Sequence, residues 1–168
     1  VAPAEATYTT MLDQATFDTW LKKLNDAKLF AFDTETTGID AQQAQLVGVS
    51  FAVQPHEAAY IPLTHSYMGV PEQLDRDSVL LALKPLLEDP TKLKVGQHAK
   101  FDMNILANCA IGGDPAQGIT VRGIAFDTML ESYVLNATAT RHDMDSLAKK
   151  YLDYDTVSFQ DIAGKGAK

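Results

Sequence analysis

The sequence predicts an α/β domain, a mixed sheet flanked by helices. Three observations lead there. Short strand-like runs alternate with segments of helical period, two of the early strand-like runs read as a hairpin, and 168 residues of which 46% are hydrophobic suffice for one substantial core but not for two.

Taken in order, Phe17, Trp20, Leu21 and Leu24 fall on one face of a helix over Thr16–Leu24, with Asp13 placed as its N-cap. Leu29–Asp33 is a short apolar strand that runs out into Thr34-Glu-Thr-Thr-Gly38. Leu46–Val53 and Ala58–Leu63 are rich in strand formers and are separated by Gln54-Pro-His-Glu57, so they form the hairpin. Asp77 and Ser78 cap a helix that reaches about Glu88, Leu93–Gly96 is a short strand, and Lys100–Asn108 carries Phe101, Ile105 and Leu106 at helical spacing. The Gly-containing stretch Ile111–Thr120 reads as an exposed loop. Thr128-Met-Leu-Glu131 has the pattern of a capping box and starts a further helix. After Asp143, a last helix runs from Met144 with Leu147, Ala148, Tyr151 and Leu152 on one stripe, which makes Tyr151 a core residue. The simplest reading of Asp127, Asp143 and Asp145 is as helix caps, although Asp127 could approach a metal site if helix and sheet edge meet. The tail Gly164–Lys168 is small, basic and loop-like.

The longest apolar runs, Val79–Leu83 and Leu29–Phe32, are far short of the ~20 residues that span a bilayer. No basic-then-apolar leader opens the chain, and its single cysteine, Cys109, excludes an internal disulfide. These features predict a soluble, cytoplasmic protein with no membrane partner. The formal charge of −8 argues against a nucleic-acid partner, unless clustered acids hold divalent cations that meet the phosphate.

Asp33 and Glu35 are such acids. They stand two apart on a strand, so they share a face, and adjacent carboxylates repel unless a cation or a shared proton compensates. Taken alone, the pair also reads as a strand running into a polar turn, and Asp102, behind the Leu93–Gly96 strand, as a first-turn acid favourable to a helix dipole. Together, carboxylates at the ends of neighbouring strands offer hard oxygen ligands suited to Mg²⁺ or Mn²⁺.

Phe32-Asp-Thr-Glu-Thr36, the Val95–Asp102 segment, Arg122-Gly-Ile-Ala-Phe-Asp-Thr-Met-Leu-Glu-Ser-Tyr133 and Arg141-His-Asp-Met-Asp-Ser-Leu-Ala148 are similar to the 3′→5′ proofreading exonuclease domains of the bacterial DNA polymerase I family. The resemblance covers nearly the whole chain, as far as the Ile162–Gly166 tail. It implies a ribonuclease H-like fold, with residues 1–168 forming an exonuclease domain that stops before a third motif, Tyr-x-x-x-Asp, and before the helix or helices that carry it. It further implies a four-carboxylate site for two divalent metal ions, Mg²⁺ or Mn²⁺, in which Asp33, Glu35 and Asp102 are both catalytic residues and metal ligands. Such a site hydrolyses the 3′-terminal phosphodiester of DNA and releases mononucleotides. The third motif would supply the last ligand and a tyrosine that places the attacking water. Tyr151-Leu-Asp-Tyr-Asp155 meets its spacing by coincidence.

The implied partners are a single-stranded DNA 3′ end and a polymerase domain of the same parent chain. Ile39 matches a position that lies against the terminal bases and Phe159 an aromatic near the incoming single strand, His98 and Phe101 flank the second motif as further DNA-binding candidates, and Asn136 and Arg141 are candidate phosphate contacts. His98 stands where the family usually has Asn, Phe101 stands where Tyr is common, and the Gly112–Gly118 loop is long. Without the third motif, the chain alone should cleave DNA weakly or not at all. The competing expectations are a 3′ exoribonuclease of the same superfamily and a non-catalytic module that shapes a polymerase and binds DNA.

Overall fold

In the computed structural model, which describes residues 6–138 and 141–157, the chain begins with β1 (Thr7–Thr10) and α1 (Gln14–Asp26). Asp13 caps α1 as expected, accepting from Thr16 N at 2.8 Å and leaving Phe17, Trp20 and Leu24 on the buried face. There follow β2 (Leu29–Thr36), β3 (Leu46–Gln54) and β4 (Glu57–Pro62), then α2 (Arg76–Glu88), β5 (Leu93–Gly96) and α3 (Ala99–Ala107). A 3₁₀ turn at Pro115–Gln117 leads to β6 (Ile124–Asp127), α4 (Thr128–Asn136) and α5 (Met144–Leu152).

The six strands form one sheet in the order β1-β4-β3-β2-β5-β6. β3 is antiparallel to both of its neighbours, β2 and β4, the pairing with β4 confirming the hairpin, whereas β1 joins β4, β5 joins β2, and β6 joins β5 in parallel. The core lies on one face of this sheet. Phe30 and Phe32 of β2, Val49 and Phe51 of β3, and Ile61 of β4 pack there against Trp20 and Leu24 of α1, Leu80, Leu83 and Leu87 of α2, and Ile105 and Leu106 of α3. Alternation along β2 therefore turns Ala31, Asp33 and Glu35 to the other face. Among the described residues, no helix is long and apolar enough to cross a membrane.

Several expectations are corrected. β1 and β6 were not anticipated. Asp75, not Asp77 or Ser78, caps α2, accepting from Ser78 N at 2.9 Å, while Asp77 accepts from Arg76 and from Gly112 N. No capping box forms at Thr128: Asp127 caps α4, and the Thr128 hydroxyl turns to Gly96 O and Gln97 Oε1. Asp143 caps α5, but Asp145 does not, its carboxylate accepting from the Thr156 hydroxyl at 2.6 Å. The Ile111–Thr120 loop is anchored at both ends by buried Ile111 and Ile119. Tyr151 is 56% exposed, because α5 buries only Leu147 among its stripe residues. The tail at Gly164–Lys168 lies outside the described residues.

Candidate active site

At the end of β2, Thr34 points into the core and Asp33 and Glu35 away from it. Buried Asp102, in the first turn of α3, reaches this strand from the core side. Its Oδ1 accepts from Thr34 N at 3.0 Å and from the Thr34 hydroxyl at 2.5 Å, so one carboxylate is clasped to the residue between the other two. The electrostatic consequence falls on Asp33. Burial, then the charge of Asp102, then that of Glu35 push its carboxyl up to about 7. Burial also raises Asp102, against the lowering effect of its two bonds from Thr34.

Asp33, Glu35 and Asp102 thus form an electrostatically coupled set of hard oxygen donors, whose mutual repulsion a divalent cation would relieve. Among the described residues, no three His, Cys, Asp or Glu side chains already converge closely enough to hold a metal ion. The chemistry of the donors fits Mg²⁺ or Mn²⁺, while a finished coordination sphere is not formed by these three groups alone. Asp33 also opens onto a cleft of about 260 Å³ lined by Ala31, Ser50, Ala52, Ala58, Gln97 and Thr128.

Strand register brings a further residue alongside. Asp33 pairs with Ser50 of β3, and Ser50 with Tyr60 of β4. A Cβ on Gly48, which is the partner of Glu35, would lie 2.0 Å from the Tyr60 hydroxyl, so glycine is what admits that ring. Tyr60 shares a hydrogen bond of 2.7 Å with His65 Nε2, and its phenol is pushed up to about 12 by burial, then by Glu35 and Tyr67. Sequence reasoning missed Tyr60. Carrying the period-2 alternation across the hairpin would have placed it beside the acids.

The other expected contacts are dispersed. Ile39 is almost fully exposed in the loop after β2. His98 and Phe101 lie at the start of α3 beside Asp102, with ring centroids 6.4 Å apart, and His98 Nδ1 is 3.3 Å from Met129 Sδ. His98 has φ 61°, a left-handed conformation for which Asn and His are both enriched, so the backbone accounts for either residue here. Asn136 binds Thr138 at the end of α4, and exposed Arg141 pairs with Asp143 at 3.2 Å; among the described residues, both bind only residues near them in the chain. Phe159 lies outside the described residues. Asp127 serves as a cap: its oxygens accept from four backbone N–H groups, those of His98, Ala99, Met129 and Leu130.

A family model described as 3′-5′ exonuclease matches residues 8–168. The chain is 72% identical over 165 residues to DNA polymerase I of Pseudomonas aeruginosa, covering 98% of this chain and 17% of that protein. It is 38% identical over 177 residues to DNA polymerase I of Rhizobium leguminosarum, covering 95% of this chain and 16% of that protein. It therefore spans about a sixth of the length of the curated relatives it matches. Among solved structures, Brucella melitensis NrnC with bound Mg²⁺ superposes with a TM-score of 0.58 at 19% identity, covering 98% of this chain and 68% of that one. This likeness establishes a shared ribonuclease H-like fold.

Proposed function

The chain belongs to the 3′-5′ exonuclease family of DNA polymerase I, and from that membership we propose that it proofreads: it hydrolyses the 3′-terminal phosphodiester of single-stranded DNA and releases mononucleotides. The observation that carries this reading is the clasp of Asp102 to Thr34, between Asp33 and Glu35, which couples the three acids on one strand end.

Asp33, Glu35 and Asp102 would hold two divalent ions, Mg²⁺ or Mn²⁺, as the catalytic residues of the site; a same-fold protein has been solved with Mg²⁺. When bound, such ions lower the pKa of water and neutralise charge on phosphate oxygens. The protein's own part is positional. β2 and α3 fix the acids, and the open sheet face leaves room for a strand end at Asp33. Ile39, His98 and Phe101 would meet the terminal bases, with Phe159 near the incoming strand and Asn136 and Arg141 on the phosphates farther along. In a longer polypeptide like those of its relatives, a Tyr-x-x-x-Asp motif would bring the fourth carboxylate and the tyrosine, and a polymerase domain would deliver the strand. The isolated chain should accordingly bind metal weakly, in keeping with the unfinished convergence of its three acids.

The test is Mn²⁺-dependent shortening of 5′-labelled single-stranded DNA by the chain, by its Asp33→Ala variant, and by the longer polypeptide with and without that substitution. Cleavage by the longer polypeptide that disappears with Asp33→Ala is expected. Near-normal cleavage by that variant would overturn the assignment, and inertness of every form would favour the non-catalytic module.

A further inference from the structure

We propose that Asp127 is a positioning residue for the exonuclease site, setting the start of α3 and through it the aim of Asp102. The inference rests on the reading of Asp102 as a metal ligand.

Asp127 ends β6, where it lies in parallel register with Gly96 of β5. From there a single carboxylate serves two helix starts. Oδ1 accepts from Met129 N at 3.0 Å and Leu130 N at 3.2 Å, capping α4, and also from His98 N at 3.2 Å; Oδ2 accepts from Ala99 N at 2.9 Å. The N–H groups of His98 and Ala99 are donors that the start of α3 cannot satisfy within the helix, and His98 makes no side-chain cap of its own. Asp127 supplies the missing cap from another strand.

The same bond holds a strained turn. His98 sits at φ 61°, and a non-glycine residue there persists only when its surroundings determine it. Next to it the chain has little freedom, because a Cβ on Gly96 would lie 2.9 Å from the Ala99 Cβ. Asp102 follows Ala99 by less than one helical turn. α3 is therefore gripped at both sides of its first turn: Asp127 holds its backbone N–H groups, and Thr34 holds the Asp102 carboxylate. Releasing the first grip leaves Asp102 held by Thr34 alone while the backbone of the helix start can shift beneath it, and a misplacement of ~1 Å can cost about a hundredfold in rate.

The experiment compares Asp127→Asn, Asp127→Ser, Asp102→Asn and the Asp102→Asn/Asp127→Asn double variant in the longer polypeptide, reading Mn²⁺ affinity, kcat and KM for 3′ cleavage, and thermal melting. Asn is nearly isosteric but turns an amide toward Ala99 N, whereas Ser can still cap α4 and loses the reach to α3. Each single Asp127 variant is expected to lower Mn²⁺ affinity and kcat by about 10- to 100-fold with KM little changed. The double variant should be no worse than Asp102→Asn alone, since Asp127 acts through Asp102. Unchanged kcat and Mn²⁺ affinity in both Asp127 variants, with Asp102→Asn inactive, would overturn the inference and leave the exonuclease reading standing. So would losses that merely track the unfolded fraction, or that add to those of Asp102→Asn. Full activity of Asp102→Asn would instead remove the exonuclease reading and this inference with it.

Discussion

Asp33 carries an uncompensated charge that should be visible in the stability of the metal-free chain. Its carboxyl is raised from 3.8 to about 7 by burial and by Asp102 and Glu35. The folded state consequently binds a proton through a range in which the unfolded chain has lost it. Stability contributed by this group is full below about 4, falls as pH rises, and is gone above about 7. Asp33→Asn should abolish that slope and stabilise the metal-free chain at pH near 8 by roughly 1–3 kcal/mol, at about 1.4 kcal/mol per pKa unit with allowance for relaxation. Urea midpoints at mildly acid and mildly alkaline pH check this, and a wild-type midpoint that did not fall between them would contradict it. Mn²⁺ should reverse the penalty in the wild type and do nothing for Asp33→Asn. At this scale the acids were legible because strand alternation and the first turn of a helix are local rules. The side of the sheet that Tyr60 occupies was legible too, by alternation across the hairpin, but the void at Gly48 that admits its ring beside Glu35 was not. Nor could the double cap of Asp127 be read, since half its partners lie 28 and 29 residues away in the chain.

Among the elements, those with amphipathic period emerged from the sequence and the edge strands did not. β1 is a run of Thr7, Tyr8, Thr9 and Thr10 with no buried residue, so it displays no apolar alternation, and its parallel pairing with β4 is a tertiary fact. β6 is only Ile124–Asp127, and its register with β5 is set from outside by Gly123, whose carbonyl accepts from Lys94 N at 2.8 Å. Gly123 has φ 75°, and a Cβ there would lie 2.5 Å from the Lys92 carbonyl oxygen. Gly123→Ala therefore faces both a left-handed backbone and a backbone clash, and it should cost roughly 2–4 kcal/mol, read from urea unfolding. A cost under about 0.5 kcal/mol, the range of ordinary surface changes, would mean that β6 is not held through this residue. The α4–α5 connection has its own fastening. Buried His142 bonds the Ser132 hydroxyl at 2.8 Å and Ala137 O at 3.0 Å, stacks on Tyr133 at 3.9 Å, and offers its carbonyl to Gln97 Nε2 at 2.8 Å. His142→Leu leaves Ser132 without its partner, so hydrogen exchange should accelerate in α5 while α1 and α2 keep their protection. Equal acceleration in all helices would show that the connection opens only by global unfolding.

For the molecule as a whole, the dominant electrostatic fact is a surplus of acids, 22 Asp and Glu against 14 Lys and Arg. A duplex or strand of nucleic acid is itself polyanionic, and proteins that bind it through their own cations lose affinity steeply with salt. On the proposed function the attraction would come from elsewhere, and the coupled acids at the end of β2 are the place where divalent ions would invert the local sign. Affinity for DNA should therefore depend on the metal rather than on the bulk charge. Fluorescence anisotropy of a labelled single strand, measured at constant ionic strength, should show no measurable binding in EDTA and clear binding in Mn²⁺. Asp33→Ala and Asp102→Asn should erase the difference by failing to bind in either condition. The residual salt dependence in Mn²⁺ should be shallow, because few lysines or arginines release counterions. Tight binding in EDTA with a steep salt slope would mean that a basic surface outside the carboxylate site holds the strand. Arg141, almost wholly exposed beside Asp143, would then be the first side chain to replace.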